Sequence, residues 1–98
     1  MIEVEWSPEA SEDLELLLSY IAADSAQAAN VVGHRIRLAE RAIALFPRAG
    51  RSDSASGAWE RLVNGVPLFL IYALDGDRAR IIALFHTARS PASKRTIR

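Results

Sequence analysis

The chain has 98 residues, enough for one domain with a single core and too few for two. Half of them are apolar, but 17 are Ala, so the core must be small, and the absence of Cys excludes disulfides, zinc knuckles and thiol nucleophiles. The formal charge is zero yet uneven: residues 1–34 hold seven carboxylates and no Lys or Arg, whereas residues 35–98 hold twelve basic groups against five acidic ones. Two readings of that asymmetry stay open, a basic surface that meets nucleic acid, phosphate or an acidic partner, and mutual neutralisation across the fold. The longest apolar stretch, Val66 to Leu74 around a Pro, is far too short for a membrane span, and the first charges are Glu3 and Glu5 rather than basic residues. The expectation is a cytoplasmic domain without a membrane segment.

Residues 2–6 alternate, with Ile2, Val4 and Trp6 on one side and Glu3 and Glu5 on the other, as a half-buried strand does. Ser7 then offers an N-cap, Pro8 suits the first helical position, and Glu9 complements the helix dipole. Ala10, Leu14, Leu17, Leu18 and Ile21 recur at helical spacing. A second start signal lies at Asp24 or Ser25, and Ala28, Val32, Ile36, Ala39, Ile43 and Phe46 form another stripe that Pro47 ends. The short separation predicts an antiparallel helical hairpin.

Residues 47–57 are small and polar and read as a mobile loop. Beyond them the period changes to 2. Trp59 to Val63 is a strand, Asn64-Gly65 a two-residue hairpin signal, Leu68 to Leu74 a second strand, Asp75-Gly76-Asp77 a turn, and Arg80 to Phe85 a third strand. Pro67 belongs at a strand start or a bulge. The fold class is therefore α+β, in the order β-α-α-β-β-β, with an antiparallel meander and the helical hairpin on one face. One domain spans residues 1–98, and residues 90–98 read as a flexible basic tail.

Both faces of the last two strands are apolar. Leu68, Leu70, Tyr72 and Leu74 point one way and Phe69, Ile71 and Ala73 the other, while Ile81, Ala83 and Phe85 oppose Ile82 and Leu84. Two helices cover one face only, so a loop, the C-terminal segment, a second copy or another protein must cover the other, and a domain of this size favours a partner.

No phosphate-cradling Gly loop, zincin motif or nucleophile elbow is present, and two His without Cys make a poor metal site, so no metal or cofactor is expected. His34 reads as a solvent-facing helix residue. His86 ends the third strand three residues before Arg89, and Glu60 and Arg61 lie on a strand of the same sheet. RNA cleavage by the 2′-hydroxyl needs a base, a cation for the phosphorane charge and an acid for the leaving oxygen, parts that Glu60, Arg61 and His86 are able to fill. The plainer reading, that Glu60 and Arg61 are exposed strand residues and His86 a polar strand end, stays open beside it.

Trp6-Ser7-Pro8-Glu9-Ala10 with Asp13-Leu14, Tyr20-Ile21-Ala22, Ala28-Ala29, Leu45-Phe46-Pro47 with Gly50-Arg51, Pro67 through Tyr72, and His86-Thr87-Ala88-Arg89 follow one another in an order and spacing that resembles the ParE branch of the RelE/ParE toxin superfamily. The resemblance spans nearly the whole chain. It implies the β-α-α-β-β-β fold, the role of toxin in a type II toxin–antitoxin pair, and a hetero-oligomer with a small ParD-like antitoxin whose N-terminal part binds DNA and whose C-terminal part wraps the toxin. RelE-like ribonucleases are similar to one another in a basic cluster on the sheet and an aromatic residue after the last strand. Here Leu68, Phe69 and Leu70 stand where such enzymes place an Arg, and no Tyr follows His86.

The resemblance thus implies a protein that is not an enzyme and inhibits DNA gyrase or another topoisomerase. The alternatives are a ribosome-dependent mRNA endonuclease using Glu60, Arg61 and His86, and a non-toxic antitoxin-binding relative. Charge and the second apolar face suggest Arg51, Arg61, Phe69, Ile71, Arg78 and Arg80 as the antitoxin-binding set. The segment from His86 onward, with Arg89, Lys94, Arg95 and Arg98, is the expected target-binding region; the other reading packs it across the open sheet face through Ile97.

Overall fold

The computed structural model describes residues 1–53 and 55–86. Strand β1 (Glu3–Trp6) leads into helix α1 (Pro8–Asp24) and helix α2 (Ala26–Leu45), and these are followed by strands β2 (Arg51–Ser52), β3 (Trp59–Leu62), β4 (Leu68–Asp75) and β5 (Arg78–His86). The five strands form one mixed sheet in the order β1-β5-β4-β3-β2. The alternation of residues 2–6 builds β1, which pairs in parallel with β5, Glu3 opposite Arg78 and Trp6 opposite Ile81. Ser7 caps α1 as expected, its Oγ accepting from the Ala10 amide at 3.1 Å, while its own amide donates to the Ile81 carbonyl at 2.9 Å and ties the helix start to the sheet. A single residue, Ser25, separates the helices. Its amide closes α1 on the Ile21 carbonyl at 2.8 Å and its Oγ accepts from the Ala28 amide at 3.1 Å to open α2.

Three details of the sheet differ from the sequence reading. Residues 47–57 are not merely a loop: Arg51 and Ser52 pair antiparallel with Glu60 and Trp59, adding a fifth strand to the predicted four. The turn that follows is organised by Asp53, whose carboxylate accepts from the Ala55 amide at 3.1 Å and the Ser56 hydroxyl at 2.9 Å. The Asn64-Gly65 connection is also longer than two residues, because the Val63 amide donates to the Leu68 carbonyl at 2.8 Å and Leu68 closes back on the Val66 carbonyl at 2.8 Å around Pro67. Pro67 has no N–H for a tighter ladder, and its fixed φ suits this three-residue turn. Gly65 takes a φ of 80° and Asn64 keeps a negative one, so the two-residue turn with both positive angles does not form. Asp75 pairs directly with Arg78, and Gly76 has a φ of 62° at the first position of that expected tight turn.

The third difference lies in β5. Tyr72 pairs with Ile81 but Ile71 pairs with Ala83, so Ile82 is an extra residue, a β-bulge. The bulge reverses the alternation half-way along the strand. Ile81 and Leu84, three residues apart, therefore both pack into the core, whereas the unbroken alternation grouped Ile81 with Ala83 and Phe85. The core under the helices is Ala10 from α1, Ile36, Ala39 and Ile43 from α2, and Val63, Leu68, Leu70, Tyr72, Ala79 and Ile81 from the sheet side. Ala28 and Phe46, predicted at the ends of the α2 stripe, are exposed: the first lies in the opening turn, and the second is the residue at which the helix stops.

Tyr72 fastens the region after α2 to the sheet. Its ring is buried and stacks on Trp59 with centroids 6.4 Å apart, and its hydroxyl donates to the Pro47 carbonyl at 2.8 Å. The backbone passes this hydroxyl at Gly50, where an added Cβ would lie 2.7 Å from the Tyr72 oxygen and 2.6 Å from the Glu60 carbonyl oxygen. The second of these atoms is backbone held in the β2–β3 ladder and has nowhere to go. Gly50→Ala is expected to destabilise the domain by about 2 kcal/mol, the cost of overpacking a tight site, read as a lowered Tm in thermal unfolding.

Burial raises the pKa of the Tyr72 phenol, with the Arg61 charge pulling it part of the way back. The folded state therefore holds the phenol proton more tightly than the unfolded chain, whose Tyr ionises at about pH 10. This contribution to stability is complete below about pH 10 and is lost as pH rises through the folded-state value. Denaturant unfolding of the wild type and Tyr72→Phe from neutral to alkaline pH is expected to show the alkaline fall reduced in the variant.

Candidate partner and target surfaces

The register sorts the sheet's side chains onto two faces. Residues directly opposite one another in a ladder share a face. Trp59 opposite Tyr72 and Arg61 opposite Leu70 place Arg61 on the helix side, together with Leu68 and its partner His86. Glu60 opposite Ile71, Leu62 opposite Phe69, and Phe69 opposite Phe85 belong to the second face. Arg51 joins this second face through its pairing with Glu60, as do Arg78 and Arg80 through Asp75 and Ala73.

The three residues with the chemistry for RNA cleavage are thereby divided. Glu60 and Arg61 are consecutive in one strand and point to opposite sides, a consequence of the two-residue period that proximity in sequence conceals. Glu60 is buried, at 8% exposure, rather than the exposed strand residue of the plainer reading. Arg61 and His86 share a face but are separated by β4 and by two ladder rungs, which puts their backbones on the order of 12 Å apart. The Nδ1 atom of His86 is buried without a hydrogen-bond partner among the described residues. Glu60, Arg61 and His86 therefore do not converge on one point.

The expected antitoxin-binding set is also redistributed. Arg51, Phe69, Ile71, Arg78 and Arg80 share the second face, and Arg61 does not. Ile71 and Phe85 are already buried within the chain, at 3% and 4% exposure, and Phe69 is half-buried. The open apolar surface is thus smaller than two unbroken strand alternations imply, and Leu62, at 55% exposure, is its most exposed large member. Arg78 meets Glu3 at 3.3 Å and Glu5 at 3.9 Å, and Arg80 meets Glu5 at 3.9 Å. The acidic first strand neutralises the basic last one, so the charge asymmetry of the sequence is partly cancelled by the parallel β1–β5 pairing. Of the expected target-binding residues, His86 closes β5, and Arg89, Lys94, Arg95 and Arg98 lie outside the described residues, as do Ile97 and the tail at 90–98.

The helices hold what the sequence reading passed over. The five carboxylates of α1 (Glu9, Glu12, Asp13, Glu15 and Asp24) make no ion pair among the described residues. Leu16 and Tyr20 on the same helix are 64% and 63% exposed. On α2, Val31, Leu38 and Leu45 are also exposed, and their spacing of seven was legible as a second stripe beside the one assigned to the core. His34 is exposed, as expected. No group of three His, Cys, Asp or Glu able to hold a metal ion is found among the described residues, and none of their helices is long and apolar enough to cross a membrane.

Comparison with known proteins adds to this geometry. Residues 4–91 match the family model described as ParE toxin of type II toxin-antitoxin system, parDE. A solved structure, the chromosomal ParDE TA system from P. aeruginosa, is similar in fold, with a TM-score of 0.73 at 17% identity over 88% of this chain and 96% of that one. Among curated proteins none matches.

The Glu3, Glu5, Arg78 and Arg80 side chains are all exposed by 43% or more, so water and salt screen their attraction. Glu5→Gln is expected to lower Tm by no more than a few degrees at low ionic strength, equivalent to less than about 1 kcal/mol. The difference should disappear near 1 M salt, where the Debye length is about 3 Å. Paired melting curves at the two ionic strengths measure it.

Proposed function

Since the chain belongs to the family of ParE toxins of type II toxin–antitoxin systems, we propose that it arrests growth by binding DNA gyrase or a related topoisomerase, and that a small ParD-like antitoxin holds it inactive in a cytoplasmic complex. In this reading the protein is an inhibitor and not an enzyme. The observation that carries this part is the division of Glu60 from Arg61 and His86 across the sheet, which leaves the only acid–base–cation set proposed from the sequence unable to converge on one phosphodiester. An inhibitor needs a complementary surface and no nucleophile. The basic segment that begins at His86 and continues through Arg89, Lys94, Arg95 and Arg98 has the charge to meet an acidic enzyme surface or a DNA backbone. The similarity to the P. aeruginosa ParDE system supports an antitoxin partner, and the second face, with Arg51, Leu62 and Phe69, offers it a mixed apolar and basic contact.

Controlled expression in a bacterium tests the reading. Growth arrest with DNA breaks and an SOS response is expected, relieved by co-expression of the product of an adjacent short reading frame. Rapid cleavage of mRNA would establish the endonuclease alternative, and normal growth would establish a relative without toxicity. Removal of residues 90–98 and, separately, Arg89→Ala are expected to reduce toxicity sharply while leaving the Tm and antitoxin binding nearly unchanged. Full toxicity in both variants would move the target-binding region elsewhere in the chain.

A further inference from the structure

The chain has two Asn residues, and the fold places them in opposite circumstances. Asn30 is exposed on α2, but it precedes the β-branched Val31, and the amide between them lies inside a helix, where each backbone N–H is held by the carbonyl one turn earlier. Asn64 stands in the β3–β4 connection and precedes Gly65, and both residues are exposed. The Val66 amide donates to the Val63 carbonyl at 3.2 Å and closes a turn around them. Neither the Asn64 carboxamide nor the Gly65 amide hydrogen-bonds to any described residue. Gly65, at a φ of 80°, carries no side chain to crowd an approach to its nitrogen.

Arg35 of α2 supplies the second observation. A Cβ added at Gly65 would lie 3.5 Å from the Arg35 Cζ, 3.6 Å from Nη1 and 3.7 Å from Nε. These near-equal distances set the face of the guanidinium against the Gly65 backbone. Arg35 makes no ion pair among the described residues, and its charge is permanent at any working pH. A fixed cation thus stands beside an exposed carboxamide and the free amide that follows it. It favours loss of the Gly65 amide proton and stabilises negative charge developing on the Asn64 carboxamide oxygen.

We propose that Asn64 is a self-modification site, converted to aspartate and isoaspartate by attack of the Gly65 nitrogen under the charge of Arg35. The Gly65 nitrogen loses its proton to hydroxide and bonds to Cγ of Asn64, an intramolecular step favoured by proximity. The bond from Cγ to Nδ2 breaks, and the amine leaves as ammonia after taking a proton from water. The resulting five-membered succinimide is opened by water. Cleavage at Cγ leaves aspartate; cleavage at the main-chain carbonyl leaves isoaspartate, whose backbone is longer by one methylene. Nothing is oxidised or reduced. The new carboxylate forms beside Arg35, and the formally neutral chain gains one negative charge.

The test incubates the purified full chain at mildly alkaline pH and follows each Asn by mass spectrometry of proteolytic peptides, with electron-transfer fragmentation to separate the two products. Conversion is expected at Asn64, at a rate that rises with hydroxide, while Asn30 stays intact. Asn64→Gln, which would need a larger ring, is expected to abolish it. Arg35→Gln should slow conversion about threefold, the effect of one screened surface charge, and Arg35→Lys should restore part of the rate. Salt near 1 M, where the Debye length is about 3 Å, should slow the wild type toward the Arg35→Gln rate and leave that variant unchanged. A merely structural role for Arg35 predicts no such response. Circular dichroism checks each fold, and should Arg35→Gln unfold, the salt dependence of the wild type decides. An intact Asn64 in the native chain, with conversion only after unfolding in guanidinium, would overturn the proposal, because the turn would then hold the reacting atoms apart. Equal rates at Asn30 and Asn64, or a wild-type rate insensitive to both salt and Arg35→Gln, would overturn it as well.

Discussion

Strand β5 is the member of the sheet on which the other elements depend. It accepts β1 on one side in parallel and β4 on the other antiparallel, and its Ile81 carbonyl anchors the first residue of the helical hairpin. The bulge at Ile82 divides it into two segments of opposite parity. In the first, Ala79 and Ile81 face the helices and Arg78 and Arg80 face away to meet the carboxylates of β1. In the second, Leu84 faces the helices and Ala83 and Phe85 face away to meet Ile71 and Phe69. Without the extra residue, an uninterrupted strand would bring either the Arg pair or Leu84 to the wrong side. One inserted position reconciles a charged half and an apolar half within nine residues.

The same division organises the surface. The end of the second face nearest β1 is occupied by exposed charge pairs that contribute little to stability yet cover the edge strand with ionised groups, which discourages sheet-to-sheet association. The end nearest β3 is apolar and partly closed within the chain. On the helix side, Tyr72 links three separate stretches: its ring to Trp59 of β3, its hydroxyl to Pro47 beyond α2, and its position to Gly50 ahead of β2. A buried hydroxyl with a single well-placed acceptor rigidifies the junction between the helical and sheet halves. The hairpin is therefore held at both ends, by Ser7 on Ile81 and by Pro47 on Tyr72.

A catalyst must bring a few polar groups together within hydrogen-bond reach, whereas a binder must present rigid surfaces with distinct chemistry. The described residues present several surfaces of distinct chemistry. Helix α1 is acidic, α2 carries aliphatic and cationic residues along one flank, and the second sheet face mixes aromatic, aliphatic and basic groups. Surfaces of different charge on one small domain allow different partners to be recognised by different parts of it.

How much of this was legible in the residues follows from the range of the interactions involved. The helix starts at Ser7 and Ser25, the helical hairpin, the strand periods and the Gly76 turn depend on groups within a few positions of one another, and the sequence by itself determined them. So did the order of elements, and the family could be identified from the succession of short segments along the chain. Strand β2 was not legible, since Arg51 and Ser52 become a strand only because Gly50 lets the backbone approach Tyr72 and Glu60. The bulge was not legible either: an extra residue in a ladder is defined by the partner strand, and β5 alone reads as an unbroken alternation. The bulge places Ala83, Leu84 and Phe85 on the faces opposite to those that an unbroken alternation predicts. The neutralisation of Arg78 and Arg80 by Glu3 and Glu5 joins residues more than seventy positions apart and required the parallel placement of β1, which only tertiary structure decides. The separation of Glu60 from Arg61 was present in the two-residue strand period all along. What the fold added was which side each one faces.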